Sequence, residues 1–394
     1  MVKAVFNFHL STRLPVYSST FIIKMSGLYF HFPFCKSRCI YCAFYSTTLH
    51  ALQQHYCNAM VAELDARLTS CYSPPYTIYF GGGTPSSLST EALDIVVDAV
   101  LRHLPQKEIT EWTIECNPDD ITEDFAAWIA SSPINRVSIG IQTFNDTRLR
   151  WARRRHTAEQ AVTAVKRLRA HGISNISIDL MFGFPSQTLT EWQHDLQQAI
   201  NLKPEHISAY SLTVEEGTPL LSLCEKGTEC ATEDLSLMMY ETLTASLINA
   251  GYEHYEISNF ALNGYRSKHN SAYWQQTPYL GIGAAAHSYS GTQRSWNVSD
   301  INRYILSAQN GQPDHEHEEI GPQERYNDII ATMLRTADGI PLDILTTEQR
   351  KYLMSQAQKH IDKGNLEIDD HRIRLTRQAL FVSDNVMTDL IMIE

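Results

Sequence analysis

A chain of 394 residues is longer than one average domain and suits a large α/β domain with a smaller companion. With 43% hydrophobic and 19% charged residues it has the composition of an ordinary folded protein, which excludes global disorder. A formal net charge of −12 excludes a generally basic nucleic-acid-binding surface, and no apolar run approaches the roughly 18 residues of a membrane-spanning helix, so neither nucleic acid nor a transmembrane segment is expected.

Residues 1–26 read as a leader: Asn7, His9, Ser11 and Pro15 interrupt their apolar positions, which makes a poor signal-peptide core. From 27 to 264 one theme repeats, a β-rich run followed by a polar loop and a helical pattern. Strands are expected at 27–32, 76–80, 111–115, 136–141, 175–180 and 206–212. Helices are expected near 51–69, 90–103, 122–131, 157–171, 189–201 and 233–250. Six such units predict a parallel sheet covered by helices, an α/β fold of the partial (β/α)6 barrel kind. Beyond 264 the helical stretches near 299–308, 322–337 and 347–363, an alternating 366–375 segment turning at Asp369-Asp370, and a last helix from 377 predict a smaller, mainly helical domain over 265–394 carrying a β-hairpin. The acidic run from Asp314 to Glu319, with His315 and His317, reads as solvated surface.

Unusual residues fall at the carboxyl ends of the expected strands, where ligands bind in parallel β/α folds. Cys35, Cys39 and Cys42 follow the first strand with C-x3-C-x2-C spacing. Three thiolates on one short loop suit three corners of an iron–sulfur cubane and leave one iron open, whereas zinc completed by His31 is the alternative. Crowding three of eight cysteines here, with Cys57, Cys71, Cys116, Cys224 and Cys230 scattered as ordinary core or surface residues, indicates a metal site in a reducing compartment, the cytoplasm.

After the second strand, Gly81-Gly82-Gly83-Thr84-Pro85 lacks the spacing and lysine of a phosphate loop, and its glycines suit close approach of a small ligand to the backbone. Glu115, Gln142 and Asp179 close the next three strands and offer acceptors for an amino group and hydroxyls. Arg154, flanked by Arg153 and Arg155, offers a partner for a carboxylate.

These segments, with Leu28-Tyr-Phe-His-Phe-Pro-Phe-Cys35, Glu115-Cys-Asn-Pro118, Ser138-Ile-Gly-Ile-Gln142, Ile178-Asp-Leu-Met-Phe-Gly-Phe-Pro185, Leu280-Gly-Ile-Gly-Ala-Ala-Ala-His287 and Leu375–Asp384, resemble the oxygen-independent coproporphyrinogen dehydrogenase superfamily of radical S-adenosylmethionine (SAM) proteins. The resemblance runs from about Gly27 to the end of the chain. It implies a 4Fe-4S cluster on Cys35, Cys39 and Cys42 whose open iron chelates the amino and carboxylate groups of SAM. It further implies SAM contacts from Tyr29, Gly82, Gly83, Thr84, Glu115, Gln142, Arg154 and Asp179, with Tyr41 near the adenine. Arg154 is chosen because the family's arginine stands two places before a histidine, here His156.

Within the superfamily the chain is more similar to the heme chaperone branch, the HemW kind. Phe44 fills the position where the dehydrogenase has a further cysteine, the stretch before the first strand is short, and His269-Asn-Ser-Ala-Tyr-Trp274 matches an H-N-x-x-Y-W pattern. That branch implies heme as a further cofactor, with His269 as a candidate axial ligand beside two large aromatic rings, and acceptor heme proteins such as respiratory enzymes as partners. The alternative implied by the superfamily is porphyrin biosynthesis, the radical decarboxylation of coproporphyrinogen III to protoporphyrinogen IX. A third reading is a barrel used only for partner binding. The electron donor and a homodimer are left open.

Overall fold

The computed structural model describes residues 27–68, 77–311 and 313–393; the expected leader and Cys71 lie outside the described residues. Six strands, β1 (Gly27–Phe32), β2 (Thr77–Gly82), β3 (Glu111–Cys116), β4 (Arg136–Gln142), β5 (Ile176–Phe182) and β6 (His206–Ser211), pair in parallel and in chain order. Helices Gln53–Arg67, Thr90–His103, Glu123–Ser131, Ala158–Ala170, Leu189–Leu202 and Glu233–Asn249 follow them one by one. Several helix starts are set by local chemistry. Ser89 and Thr122 cap through their hydroxyls, and Thr157–Gln160 and Thr188–Glu191 form reciprocal capping boxes.

The period of two along each strand separates two environments. Leu28, Phe30, Phe32, Ile78, Phe80, Trp112, Ile114, Val137, Ile139, Ile176, Ile178, Leu180 and Ile207 belong to one buried core with the helices. The alternate positions, among them Tyr29, His31, Tyr79, Glu115, Ser138 and Asp179, face one another inside the arc, where Tyr29 bonds His31, Tyr79 bonds Glu115 and Ser138 bonds Asp179. A polar lumen is therefore written into the strands themselves.

The sheet does not stop at six strands. A hairpin of β7 (Glu253–Glu256) and β8 (Asn259–Ala261) adds antiparallel to β6. On the other side β9 (Tyr279–Ile282) pairs in parallel with β1 and is followed by antiparallel β10 (His287–Tyr289), β11 (Gln293–Asn297) and β12 (His315–Glu319), making an open sheet of twelve strands. Helix Lys268–Trp274 sits across the amino ends of β1–β3, with its first backbone N–H groups donated to Glu111. A second core, including Tyr326, Ile330, Leu353, Ile373 and Leu390, joins helices Pro322–Met333, Thr347–Asp362 and Ser383–Leu390 to a small sheet of β13 (Ile340–Pro341), β14 (Leu366–Ile368) and β15 (Arg372–Leu375).

The expected division at 264 thus differs from the division between the cores. Residues 279–309 are held to the barrel by Glu63, a fully buried carboxylate on helix Gln53–Arg67. It accepts from Gly283 N (2.9 Å), Asn297 Nδ2 (2.8 Å), Tyr304 Oη (2.6 Å) and Arg67 Nη1 (2.7 Å). The strands β9–β12 are short and mostly polar, which hides them from a hydrophobic-alternation reading. The run 315–319 is solvent-exposed, as expected, but forms the edge strand β12, whose three glutamates discourage pairing with another sheet. Among the described residues no helix is long and apolar enough to cross a membrane.

Candidate functional site

The loop after β1 carries the three cysteines. Cys35 N donates to Thr47 O (2.9 Å) and Thr47 N to Pro33 O (2.6 Å), closing the base of the loop, while Ile40 N reaches Ala152 O and Leu220 N reaches Ile40 O. Lys36 anchors the outer flank on the buried Asp120 at 2.7 Å. Cys35, Cys39 and Cys42 are free thiols of intermediate exposure. Burial, and the neighbouring cysteine sulfurs, raise the thiols of Cys35 and Cys42, the latter to about 11. Thiols raised in this way, Cys35 and Cys42, need a positive centre to become thiolates.

The donor set fits an iron–sulfur cluster better than zinc. His31, the candidate fourth zinc ligand, has Nδ1 on Tyr29 Oη (3.0 Å) and Nε2 on Tyr45 O (3.1 Å), so neither ring nitrogen is turned to the cysteines. Among the described residues no three His, Cys, Asp or Glu side chains converge on one point as a mononuclear site requires. The corners of a cubane are separated by the width of the cluster itself.

The glycine turn after β2 closes against this loop. Gly83 N donates to Phe32 O at 2.8 Å, and a Cβ on Gly83 would stand 2.7–2.9 Å from backbone atoms of Phe32, Pro33 and Phe34, so only glycine permits the approach. Thr84 Oγ1 lies 3.5 Å from Cys35 Sγ and accepts from Asn117 Nδ2 at 3.3 Å. Glu115 accepts from Tyr79 Oη (2.8 Å) and from Gly82 N (3.1 Å). Burial raises its carboxyl from 4.5 to about 7, with the Tyr79 hydrogen bond opposing. Burial likewise raises Asp179 against the pull of Ser208, Arg136 and Ser138.

Gln142 is held at φ 71°, where β4 slips register against β5. A left-handed backbone at a non-glycine residue costs on the order of 1–3 kcal/mol and is tolerated where surrounding contacts impose it. This bulge carries β4 one residue beyond the expected end at Ile141.

The arginine triplet is resolved by geometry. Arg154 enters the site: Nη1 donates to Cys39 Sγ (3.5 Å), Nη2 donates to Asn117 Oδ1 (2.5 Å) and to Gly140 O, and Nε is buried without a hydrogen-bond partner. Arg155 instead pairs with Asp119 (2.6 Å) and Asp120 (3.0 Å), and Arg153 takes a left-handed backbone and is exposed. His156 is buried with Nε2 on Ile141 O and is held neutral, its pKa lowered to about 3 by burial and by Arg154. Tyr41 packs against the small apolar cluster of Ala152, Phe184, Leu212 and Leu220 beside the cysteine loop.

Cys35, Cys39, Cys42, Tyr41, Gly82, Gly83, Thr84, Glu115, Gln142 and Arg154 are therefore gathered around the carboxyl end of the arc, with Tyr29 below them through His31 and Asp179, expected at a strand end, in the middle of β5, which extends to Phe182. Asn117, which bridges Thr84 and Arg154, is not among the residues expected from the sequence although it stands in the Glu115-Cys-Asn-Pro118 segment. Its signal was its place immediately after β3.

His269 lies elsewhere. Its ring contacts Thr77 Oγ1 through Nδ1 (2.8 Å) and Tyr273 Oη through Nε2 (2.7 Å), and it stacks on Tyr79 at 5.0 Å, at the amino end of the strands. It is 1% exposed, and burial lowers its pKa to about 3. In this arrangement both ring nitrogens are occupied.

Residues 29–199 match the radical SAM superfamily. Along its length the chain is similar to the heme chaperone HemW of Bacillus subtilis (34% identity, covering 92% of this chain and 98% of that protein) and of Mycobacterium tuberculosis H37Rv (31%, 93% and 94%). It is also similar to the heme chaperone HemW of Escherichia coli K12 (36%, 66% and 69%). Among solved structures it resembles the E. coli coproporphyrinogen III oxidase HemN, with a TM-score of 0.79 at 18% identity over 94% of this chain and 91% of that one, a likeness of fold.

Proposed function

The chain belongs to the HemW heme chaperone family of radical SAM proteins, and from that premise we propose that it binds heme and passes it to acceptor hemoproteins, respiratory enzymes among them, in the cytoplasm. Cys35, Cys39 and Cys42 would hold a 4Fe-4S cluster. That cluster would supply an open iron, as a Lewis acid for the amino and carboxylate end of SAM, and an electron.

The rest is done by the chain's own side chains. Glu115, half-buried at the end of β3, accepts from the N–H of the SAM amino group, best as the carboxylate. Arg154 presents the unpartnered Nε to an acceptor on the ligand while its other nitrogens brace Cys39 and Asn117. Gly82, Gly83 and Thr84 line the close approach, Gln142 and Asp179 take ribose hydroxyls, and Tyr41 lies along the adenine. The carrying observation is the union of a three-thiol loop with the Glu115–Arg154 pocket at one mouth, with Phe44 standing where the dehydrogenase branch has a further cysteine.

Heme is taken up at helix Lys268–Trp274, with His269 as its iron ligand. In the resting arrangement Tyr273 occupies Nε2, so uptake begins when the tyrosine hydroxyl releases it. The test is anaerobic: reconstituted, reduced protein titrated with heme, beside an assay of coproporphyrinogen III. Stoichiometric heme uptake without decarboxylation is expected. Conversion of coproporphyrinogen III to protoporphyrinogen IX would transfer the assignment to the dehydrogenase.

A further inference from the structure

Cys224 and Cys230, read from sequence as unremarkable, stand with their Sγ atoms 3.6 Å apart. Helix Pro219–Glu225 ends one residue after Cys224, and the chain reverses through Lys226, Gly227, Thr228 and Glu229. Gly227 N donates to Cys224 O (3.0 Å) and Thr228 N to Leu223 O (3.0 Å), and Gly227 takes φ 98°, a conformation that disfavours other residues. This hydrogen-bonded turn, and not chance proximity of two mobile loops, sets the sulfurs side by side. A disulfide requires them to close by about 1.5 Å, within reach of side-chain rotation. Both thiols are partly exposed, so a small oxidant can reach them.

The turn is also attached to the cluster loop. Leu220, on the same helix, donates its N–H to Ile40 O at 2.9 Å, and Leu220 and Cys224 pack with Tyr41, Ala152, Phe184 and Leu212 in one small apolar cluster. Whatever stiffens residues 224–230 stiffens the support behind Tyr41.

We propose that Cys224 and Cys230 form a reversible disulfide, an oxidation site separate from the cluster cysteines, that locks the turn behind the cluster loop. With a low-molecular-weight disulfide such as oxidised glutathione as the oxidant, one protein thiolate attacks a glutathione sulfur, forms a mixed disulfide and releases one glutathione thiolate. The second protein thiolate then attacks the mixed disulfide at the protein sulfur and releases the other. Two protein thiols lose two protons and two electrons in total, and one glutathione disulfide is reduced to two thiols. Burial and the neighbouring Cys224 sulfur push the Cys230 thiol up to about 11, so the thiolate is scarce near neutrality and closure accelerates as pH rises.

Cluster-loaded protein is treated anaerobically with oxidised glutathione, alkylated, and cut with trypsin, which cleaves after Lys226, between the two cysteines. The expected product is the peptide ending at Lys226 linked to the one beginning at Gly227. It should be released by dithiothreitol and absent from Cys224→Ser and Cys230→Ser, with iron content unchanged. Amide exchange over 219–232 should slow in the oxidised form. Full alkylation of both thiols, stable mono-glutathionylation, or linkage of Cys224 to Cys35, Cys39 or Cys42 would each overturn the site. Unchanged exchange in linked protein would overturn the locking.

Discussion

Arg154 and Cys39, 115 residues apart in sequence, meet at 3.5 Å from Nη1 to Sγ, and the same guanidinium holds Asn117 and the carbonyl of Gly140. One side chain thus ties the thiol loop after β1 to the ends of β3 and β4.

Arg154→Ala should leave iron bound but weaken SAM. Hydrogen bonds to a charged group are each worth about 1.5–3 kcal/mol, so SAM affinity measured by equilibrium dialysis should fall about tenfold to a hundredfold. Arg155→Ala, which breaks only the flanking pairs with Asp119 and Asp120, should change it far less.

Cys39→Ala should abolish iron and sulfide content and the visible absorption of the reconstituted protein. Cys57→Ala should retain both, because Cys57 lies in the hydrophobic core behind β1. Equal iron in the two variants would remove the cysteine loop from the site.

Glu115 fixes a pH dependence. Its folded pKa stands raised to about 7 against 4.5, so the protonated form is favoured on folding. Its contribution to stability is full below about 4.5 and is lost as pH climbs through about 7. Binding of SAM runs the other way, since the carboxylate is the stronger acceptor for the N–H of its amino group, and affinity should rise between about pH 6 and pH 8. Glu115→Gln should flatten that rise.

Tyr273→Phe removes the hydroxyl that occupies His269 Nε2 at 2.7 Å. Freeing one buried hydrogen bond of about 0.5–1.5 kcal/mol should tighten heme binding by up to about tenfold, whereas His269→Ala should erase the histidine-ligated heme spectrum. Because His269 and His156 are both held neutral with pKa values near 3, stability should fall as pH drops from about 6.5 toward 3. An unaltered spectrum in His269→Ala would take this histidine out of the heme site.

Glu63→Ala should cost about 3–5 kcal/mol in urea unfolding, because Arg67 is left without its buried carboxylate and the N–H of Gly283 and side chains of Asn297 and Tyr304 lose their acceptor. A loss below about 1 kcal/mol would show that residues 279–309 do not depend on this tie to the barrel.

Local chemistry was enough to read the parallel arc from the chain. Strand β1 lies at Gly27–Phe32 and helix Thr90–His103 at the bounds expected, because apolar alternation, hydroxyl caps and glycine turns act within a few residues. The cysteine spacing and the placing of Glu115 and Gln142 at the ends of β3 and β4 were legible for the same reason, whereas Asp179, expected to close its strand, stands in the middle of β5 because that strand runs on to Phe182. Other features needed distance in sequence to become closeness in space. The resemblance picks Arg154 from the triplet through His156, but its contact with Cys39 depends on the left-handed backbone at Arg153. Strands β9–β12 joined the barrel sheet through β1 and Glu63, contacts more than two hundred residues apart that carry no local periodicity. His269 reads from the sequence as a candidate heme ligand, and the amino ends of β1–β3 decided that it rests among Thr77, Tyr79 and Tyr273. A side chain's chemistry is a property of its residue, but the partner that uses its lone pair or charge is chosen by packing.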